Sequence, residues 1–123
     1  MNISSIMIVD DSESDQFLTK VIIEKYDDTI EIMQAYDGQE ALEQLDAIDK
    51  QPDIILLDIN MPRMNGFEFL EEYNKREEKS KIIAMLTSSD QEEDKEKSIK
   101  YGCVKTYFVK PLSSDKVSML CKL

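Results

Sequence analysis

An uninterrupted apolar run, Ile54–Leu57, constrains the fold of this chain more than any other feature. It lacks the alternation of apolar and polar residues that a half-exposed strand shows, so it is typical of a strand covered on both faces. The run stops at Asp58, and Pro62 and Asn65–Gly66 then favour irregular backbone. We therefore expect Asp58 at the tip of a central strand, on the edge where open α/β sheets place their chemistry.

Four further segments have the composition of strands and alternate with helical patterns. They are Ile6–Val9, Ile30–Ala35, Ile82–Leu86 and Thr106–Val109. The second of these shows more alternation, which places it nearer the edge of a sheet. Strand and helix alternate five times along the chain. This pattern predicts an α/β fold with a doubly wound, five-stranded parallel sheet and helices on both faces.

Caps and apolar spacing mark the helices between these strands. The expected caps are Ser12 or Ser14, then Asp37 in a capping box with Glu40, and finally Ser113 or Ser114. The side chains predicted to face inward are Phe17, Leu18, Val21 and Ile22 in the first helix, Ala41, Leu42, Leu45 and Ile48 in the second, Phe67, Leu70 and Tyr73 in the third, and Val117, Leu120 and Cys121 in the last. The last helix has room for only about three turns.

The segment before the last strand is unusually polar. Gln91–Lys97 favours a helix but offers almost nothing to bury before Ile99, and Gly102 is a candidate stop. Most helical stability in proteins comes from packing an apolar face. We therefore expect a loosely packed helix anchored by Ile99.

Composition excludes several classes of partner and location. The net charge of −11 argues against nucleic acid or an anionic membrane surface as the direct partner. No run approaches the roughly 18 apolar residues of a membrane span, and no signal peptide is evident at the start. With only two cysteines, Cys103 and Cys121, a reduced cytoplasmic protein is expected.

Four predicted strands end in residues with complementary chemistry: Asp10–Asp11, Asp58, Thr87 and Lys110. The tips of parallel strands share one edge, so these side chains can converge. Carboxylates gathered there repel one another, and a hard divalent cation such as Mg²⁺ removes the conflict. Lys110 adds a positive charge and Thr87 a hydroxyl donor. This equipment suits the stabilisation of a transferring phosphoryl group.

Taken in order, these motifs resemble the response-regulator receiver domain (CheY-like) of two-component signalling, from Ile6 to about Leu120. The matching segments are Val9–Asp11, Leu56–Pro62 with Asn65–Gly66, Leu86–Ser88, and Tyr107 with Val109–Pro111. Each fragment alone is weak, but all of them together at the expected strand ends are specific. The resemblance implies the flavodoxin-like strand order 2-1-3-4-5, and we expect residues 1–123 to form one receiver domain without an output domain.

The resemblance also implies residue roles. Asp58 would be the phospho-acceptor, and Mg²⁺ would be held by Asp10, Asp11, Asp58 and the Asn60 main-chain carbonyl. Thr87 and Lys110 would hold the phosphoryl oxygens, and Thr87 and Tyr107 would form the switch. Lys110–Pro111 would be a cis peptide.

The implied function is a phosphorylation-controlled signalling module rather than an enzyme. Since the chain has no histidine, the phosphoryl donor must be another protein, a histidine kinase or a histidine phosphotransfer protein. A downstream protein target would read the phosphorylated state.

Each site residue also has a simpler structural interpretation. Asp10, Asp11 or Thr87 alone would be a helix cap, Tyr107 an ordinary sheet aromatic, and Lys110 or Asp58 a solvated charge. Two other functions on related folds fit less well. A phosphohydrolase of the haloacid-dehalogenase type would carry two aspartates separated by one residue at the first strand tip, whereas Asp10 and Asp11 are adjacent. A flavodoxin-type cofactor binder would need a phosphate-cradling first loop, but residues 11–15 are acidic and lack glycine.

Overall fold

The computed structural model describes residues 3–77, 80 and 82–123. Within them, strands and helices alternate as β1 (Ser5–Val9), α1 (Glu13–Tyr26), β2 (Glu31–Ala35), α2 (Gly38–Ala47), β3 (Ile54–Leu57), α3 (Gly66–Tyr73), β4 (Ile82–Thr87), α4 (Glu92–Ile99), β5 (Val104–Val109) and α5 (Ser114–Cys121). All paired strands are parallel, in the order β2-β1-β3-β4-β5. The predicted fold class and strand order are confirmed.

The central strand shows why its sequence is uniformly apolar. Ile54 and Leu56 face a core layer that includes Ile23 of α1 and Leu120 of α5. Ile55 and Leu57 face a second layer, which includes Leu45 of α2 and the buried residues of α3. Because helices cover both faces, every side chain of β3 is buried. The edge strand β2 is only partly buried, as its alternating sequence predicts.

The predicted inward face of α1 is wrong for Phe17 and Leu18, whereas Ile22 is partly buried and packs against the core as predicted. Phe17 and Leu18 are 65% and 56% exposed, and the buried residues of this helix are Gln16, Thr19 and Ile23. The Gln16 side-chain amide lies 3.0 Å from the Ile8 carbonyl oxygen and 2.8 Å from that of Ala35. Buried carbonyl groups need a donor, so a polar residue takes the inward position that apolar spacing assigned to its neighbours.

The middle helices follow the prediction with two changes. Asp37 caps α2 by accepting from Glu40 N, but the reciprocal capping box lies at α3, between Asn65 and Glu68. In α3 the fully buried aromatic residues are Phe69 and Tyr73, whereas Phe67 is only partly buried.

In the last part of the chain, α4 differs most from expectation. Its buried residue is Ser98, while the predicted anchor Ile99 is 49% exposed. The Ser98 hydroxyl donates to the Asp94 carbonyl at 2.7 Å, which explains how a polar side chain takes the inward position. The helix ends at Ile99 with Lys100 as its cap, so Gly102 is not the stop.

The final helix agrees with the sequence more closely. Ser113 caps α5 by accepting from Lys116 N. Val117 and Leu120 are buried and Cys121 packs beside them. The helix spans eight residues, about two turns rather than three. Among the described residues, no helix is long and apolar enough to cross a membrane.

The corrected face of α1 predicts a contrast between two substitutions. Ile23→Ala should lower the free energy of unfolding by about 2–5 kcal/mol, because it leaves a cavity in a closed core layer. Phe17→Ala should change it by less than about 0.5 kcal/mol, because the ring is mostly in solvent. Urea denaturation of both variants measures the difference. Equal losses of unfolding free energy in the two variants would support the inward face predicted from apolar spacing instead.

Candidate functional site

Sheet pairing brings the predicted strand tips to one edge. Asp10 follows β1, Asp58 follows β3, and Lys110 follows β5. Backbone bonds continue the ladder past the strands, from Asp58 N to Val9 O at 3.0 Å and from Lys110 N to Thr87 O at 2.8 Å. The four tips named from the sequence therefore lie side by side.

The acidic residues of this edge form one cluster. Asp10, Asp11 and Asp58 each offer a carboxylate oxygen, and these atoms lie within 4.8 Å of one another. Asp10 and Asp58 are buried and Asp11 is exposed. Burial raises the pKa of Asp10, although hydrogen bonds from Lys110 and Ser12 N oppose that rise. Hard oxygen ligands gathered this closely fit Mg²⁺.

Lys110 compensates the negative charge of this acidic cluster. Its side chain is 14% exposed, and its Nζ lies 2.7 Å from Asp10 Oδ2 and 3.0 Å from Asp58 Oδ2. A third carboxylate, Asp15 Oδ2 in the first turn of α1, lies 2.8 Å away. Burial of the amine lowers its pKa, but hydrogen bonds to Asp10 and Asp15 and the charge of Asp58 raise it above the ordinary lysine value. Sequence reasoning missed Asp15, because an acidic residue in a first helical turn is commonplace.

The backbone of Asp58 is held by the start of α3. Asp58 Oδ1 accepts from Ile59 N at 2.7 Å, and Gly66 N donates to Ile59 O at 2.8 Å. A Cβ atom at Gly66 would lie 2.3 Å from the Asp58 carbonyl oxygen. Gly66 is therefore required by this close approach, a reason that the sequence did not reveal.

The loop between β3 and α3 is also fixed to α2. Gly38 N donates to Met64 O at 2.9 Å, and the Arg63 guanidinium lies 2.7 Å from Asp37 Oδ2. Arg63 has a φ of 62°, the left-handed region that non-glycine residues rarely adopt. Burial of Asp37 raises the pKa of its carboxyl, but hydrogen bonds from Glu40 N and Arg63 outweigh that effect and lower the pKa. Sequence reasoning assigned Asp37 only a capping role and gave Arg63 none.

Asn60 lies in the same loop and is exposed. The role of the Asn60 main-chain carbonyl as a metal ligand stays a prediction.

The predicted switch residues meet at Ser89. Thr87 is fully buried, and its Oγ1 accepts from Ser89 N at 3.4 Å. Tyr107 donates from its hydroxyl to Ser89 O at 2.8 Å, and burial raises the pKa of this phenol. Ser89 Oγ in turn donates to Asp94 Oδ2 at 2.6 Å. The Lys110–Pro111 peptide is cis, as the resemblance implied.

Comparison with known proteins decides the family. The family model of the response regulator receiver domain matches residues 6–121. The chain belongs to this family. Protein PilH of Pseudomonas aeruginosa is 32% identical over 111 residues, which are 89% of this chain and 88% of PilH. A crystal structure of a two-component response regulator from Cytophaga hutchinsonii superposes with a TM-score of 0.86 at 31% identity, covering 98% of this chain and 95% of that one.

Receiver domains also occur within larger proteins. The sensor histidine kinase CheAY of Helicobacter pylori is 30% identical over 118 residues, which are 95% of this chain but only 14% of CheAY. The likeness therefore covers one part of that kinase. Receiver domains are signalling modules, so the coarse prediction of a two-component signalling protein is confirmed.

The close approach at Gly66 predicts a contrast between two glycines of this receiver domain. Gly66→Ala should lower the free energy of unfolding by about 1–3 kcal/mol, because the added Cβ overlaps the Asp58 backbone. Gly102→Ala is the matched control, since nothing lies within 4 Å of its added Cβ, and it should shift stability by less than about 0.5 kcal/mol. Urea denaturation of both variants is the measurement. A Gly66→Ala protein as stable as wild type would contradict the assignment.

Proposed function

We propose that this receiver domain accepts a phosphoryl group on Asp58 from the phosphohistidine of a histidine kinase or histidine phosphotransfer protein. The observation that supports it is the Lys110 ammonium, 3.0 Å from Asp58 Oδ2 at the tip of the central strand. A phosphorylated state read by a downstream protein would carry the signal.

In the transfer, a carboxylate oxygen of Asp58 attacks phosphorus and forms a P–O bond. The P–N bond to the donor imidazole breaks, and its electron pair stays on the imidazole nitrogen. The product is a mixed anhydride on Asp58 and a histidine free of phosphate. Both reactants are anions, so catalysis consists of positioning and charge neutralisation.

The residues of this edge supply both requirements. The bond from Ile59 N to Asp58 Oδ1 orients the carboxylate. Lys110 is placed to attract the incoming phosphoryl oxygens, and Thr87 offers its hydroxyl from the neighbouring strand end. Mg²⁺, when held by Asp10, Asp11, Asp58 and the Asn60 carbonyl, would add positive charge against the anionic oxygens.

The contacts of Ser89 suggest how the signal leaves the site. Thr87, Tyr107 and Asp94 all bond to Ser89. Drawing the Thr87 hydroxyl toward a phosphoryl group would disturb these bonds and open space for Tyr107 to turn. The helix α4 buries only Ser98 among its residues, so repositioning it costs little. We infer that a protein partner reads the surface of residues 90–101 and 106–109.

Family membership supports this function over the phosphohydrolase alternative, for which no comparison gives support. A location in the cytoplasm and the absence of an output domain remain predictions.

Asp58→Asn should abolish phosphorylation, because an amide oxygen is a far weaker nucleophile than a carboxylate. The wild-type chain, incubated with acetyl phosphate and Mg²⁺, should gain the mass of one phosphoryl group, and omission of Mg²⁺ should prevent the gain. Intact-mass spectrometry measures both.

Asp28→Asn is the matched control for this substitution. Asp28 is exposed between α1 and β2, at the opposite edge of the sheet, so its variant should be phosphorylated as wild type is. Phosphorylation of the Asp58→Asn chain at the wild-type rate would show that another residue is the acceptor.

Hydrogen exchange tests the output surface. Amides of Gln91–Tyr101 should exchange faster than those of Ile54–Leu57, because a helix with little buried surface opens more readily than a central strand. Phosphorylation should change the protection of the first segment and leave the second unchanged. If the changes were confined to α1 and α2, the output surface would lie there instead.

A further inference from the structure

Asp15 stands apart from the other carboxylates around Lys110. Among the residues that the structure describes, Lys110 Nζ is shared by Asp10, Asp58 and Asp15. The group able to hold a metal contains Asp10, Asp11 and Asp58, but not Asp15. Asp15 therefore contacts the lysine without belonging to the metal cluster.

We propose that Asp15 competes with the phosphoryl group for the Lys110 ammonium and so weakens the binding of that group at the site. The inference rests on the function proposed above. Asp10 and Asp58 would share their negative charge with a metal held by the cluster, and they would then compete less for the ammonium. Asp15 is not part of the metal cluster, so its carboxylate oxygen Oδ2 stays available to Lys110 Nζ, which lies 2.8 Å away. The ammonium is then divided between Asp15 and the phosphoryl oxygens, and the charge of Asp15 also repels them.

The placement of Lys110 does not depend on Asp15. Lys110 is fixed by its backbone bond to Thr87 O at 2.8 Å and by a side chain that is only 14% exposed. The Asp15 side chain is 37% exposed, so water screens its charge in part. A partly exposed ion pair has a modest free energy. Asp15 therefore tunes the site rather than assembling it.

The first turn of α1 offers a natural comparison. Glu13 and Asp15 are both acidic residues of that turn, and both interact favourably with the helix dipole. Glu13 is exposed and is not one of the three carboxylates at Lys110. Neutralising Glu13 removes the same long-range charge from the same turn but leaves Lys110 untouched.

The test measures the affinity of the full chain for beryllium fluoride, an inorganic mimic of the phosphoryl group, in the presence of Mg²⁺. Fluorine NMR of the bound beryllium fluoride gives the dissociation constant of its complex with the protein. Asp15→Asn should bind about two- to fivefold more tightly than wild type, because the amide keeps the shape of the side chain but loses the competing charge. Glu13→Gln should change the constant by less than that.

The sign of the effect separates competition from structural damage. A disturbed α1 would weaken binding, whereas lost competition strengthens it. Affinity of Asp15→Asn equal to or below that of wild type would overturn the inference, and so would an equal gain in Glu13→Gln.

The same experiment keeps the two proposals distinct. If wild type binds beryllium fluoride and is phosphorylated on Asp58, a failure of Asp15→Asn to differ refutes only the role of Asp15. If wild type does neither, the proposed function fails and the role of Asp15 fails with it.

Discussion

The ion pairs of the Lys110 ammonium with Asp10 and Asp58 are the interaction on which this edge of the receiver domain depends. Asp10 and Asp58 are buried within reach of each other, and buried carboxylates without a partner are costly. Lys110 lies 2.7 and 3.0 Å from their oxygens. Removing the lysine would leave two desolvated like charges together, which is far worse than losing a surface ion pair. In the proposed function, the charge that compensates these carboxylates is also the charge that would attract the phosphoryl group.

Around this contact, the two halves of the edge differ in how firmly they are held. The loop after Asp58 is fixed by the packing of Gly66 on its backbone and by the Arg63–Asp37 ion pair. The segment after Thr87 leads instead into α4, which has no side-chain cap and a single buried residue, Ser98. In the proposed function, a firmly held phospho-acceptor beside a weakly packed helix suits a switch, because phosphoryl transfer needs fixed geometry while signalling needs a conformation that changes at low cost.

Much of this architecture is predictable from local sequence. The apolar run Ile54–Leu57 predicts a strand covered on both faces, and β3 is such a strand. The helices α2 and α5 are capped by Asp37 and Ser113, as expected. The inward faces predicted for α1 and α4 failed where a polar residue took an inward position. Gln16 donates to buried carbonyl groups of the sheet, and the Ser98 hydroxyl donates to the Asp94 carbonyl of its own helix. Hydrophobic spacing contains no information about such hydrogen bonds.

The sequence by itself determined the fold class and the four strand tips, because covered strands need continuous apolar residues and parallel strands end at one edge. Only the tertiary structure decided which charges meet there. Asp15 and Lys110 are 95 positions apart, and only the docking of α1 beside the end of β5 brings them to 2.8 Å. The need for Gly66 is likewise a matter of packing, since it depends on how closely α3 approaches the Asp58 backbone. Distances between elements remote in sequence follow from how whole layers pack, and no local pattern records them.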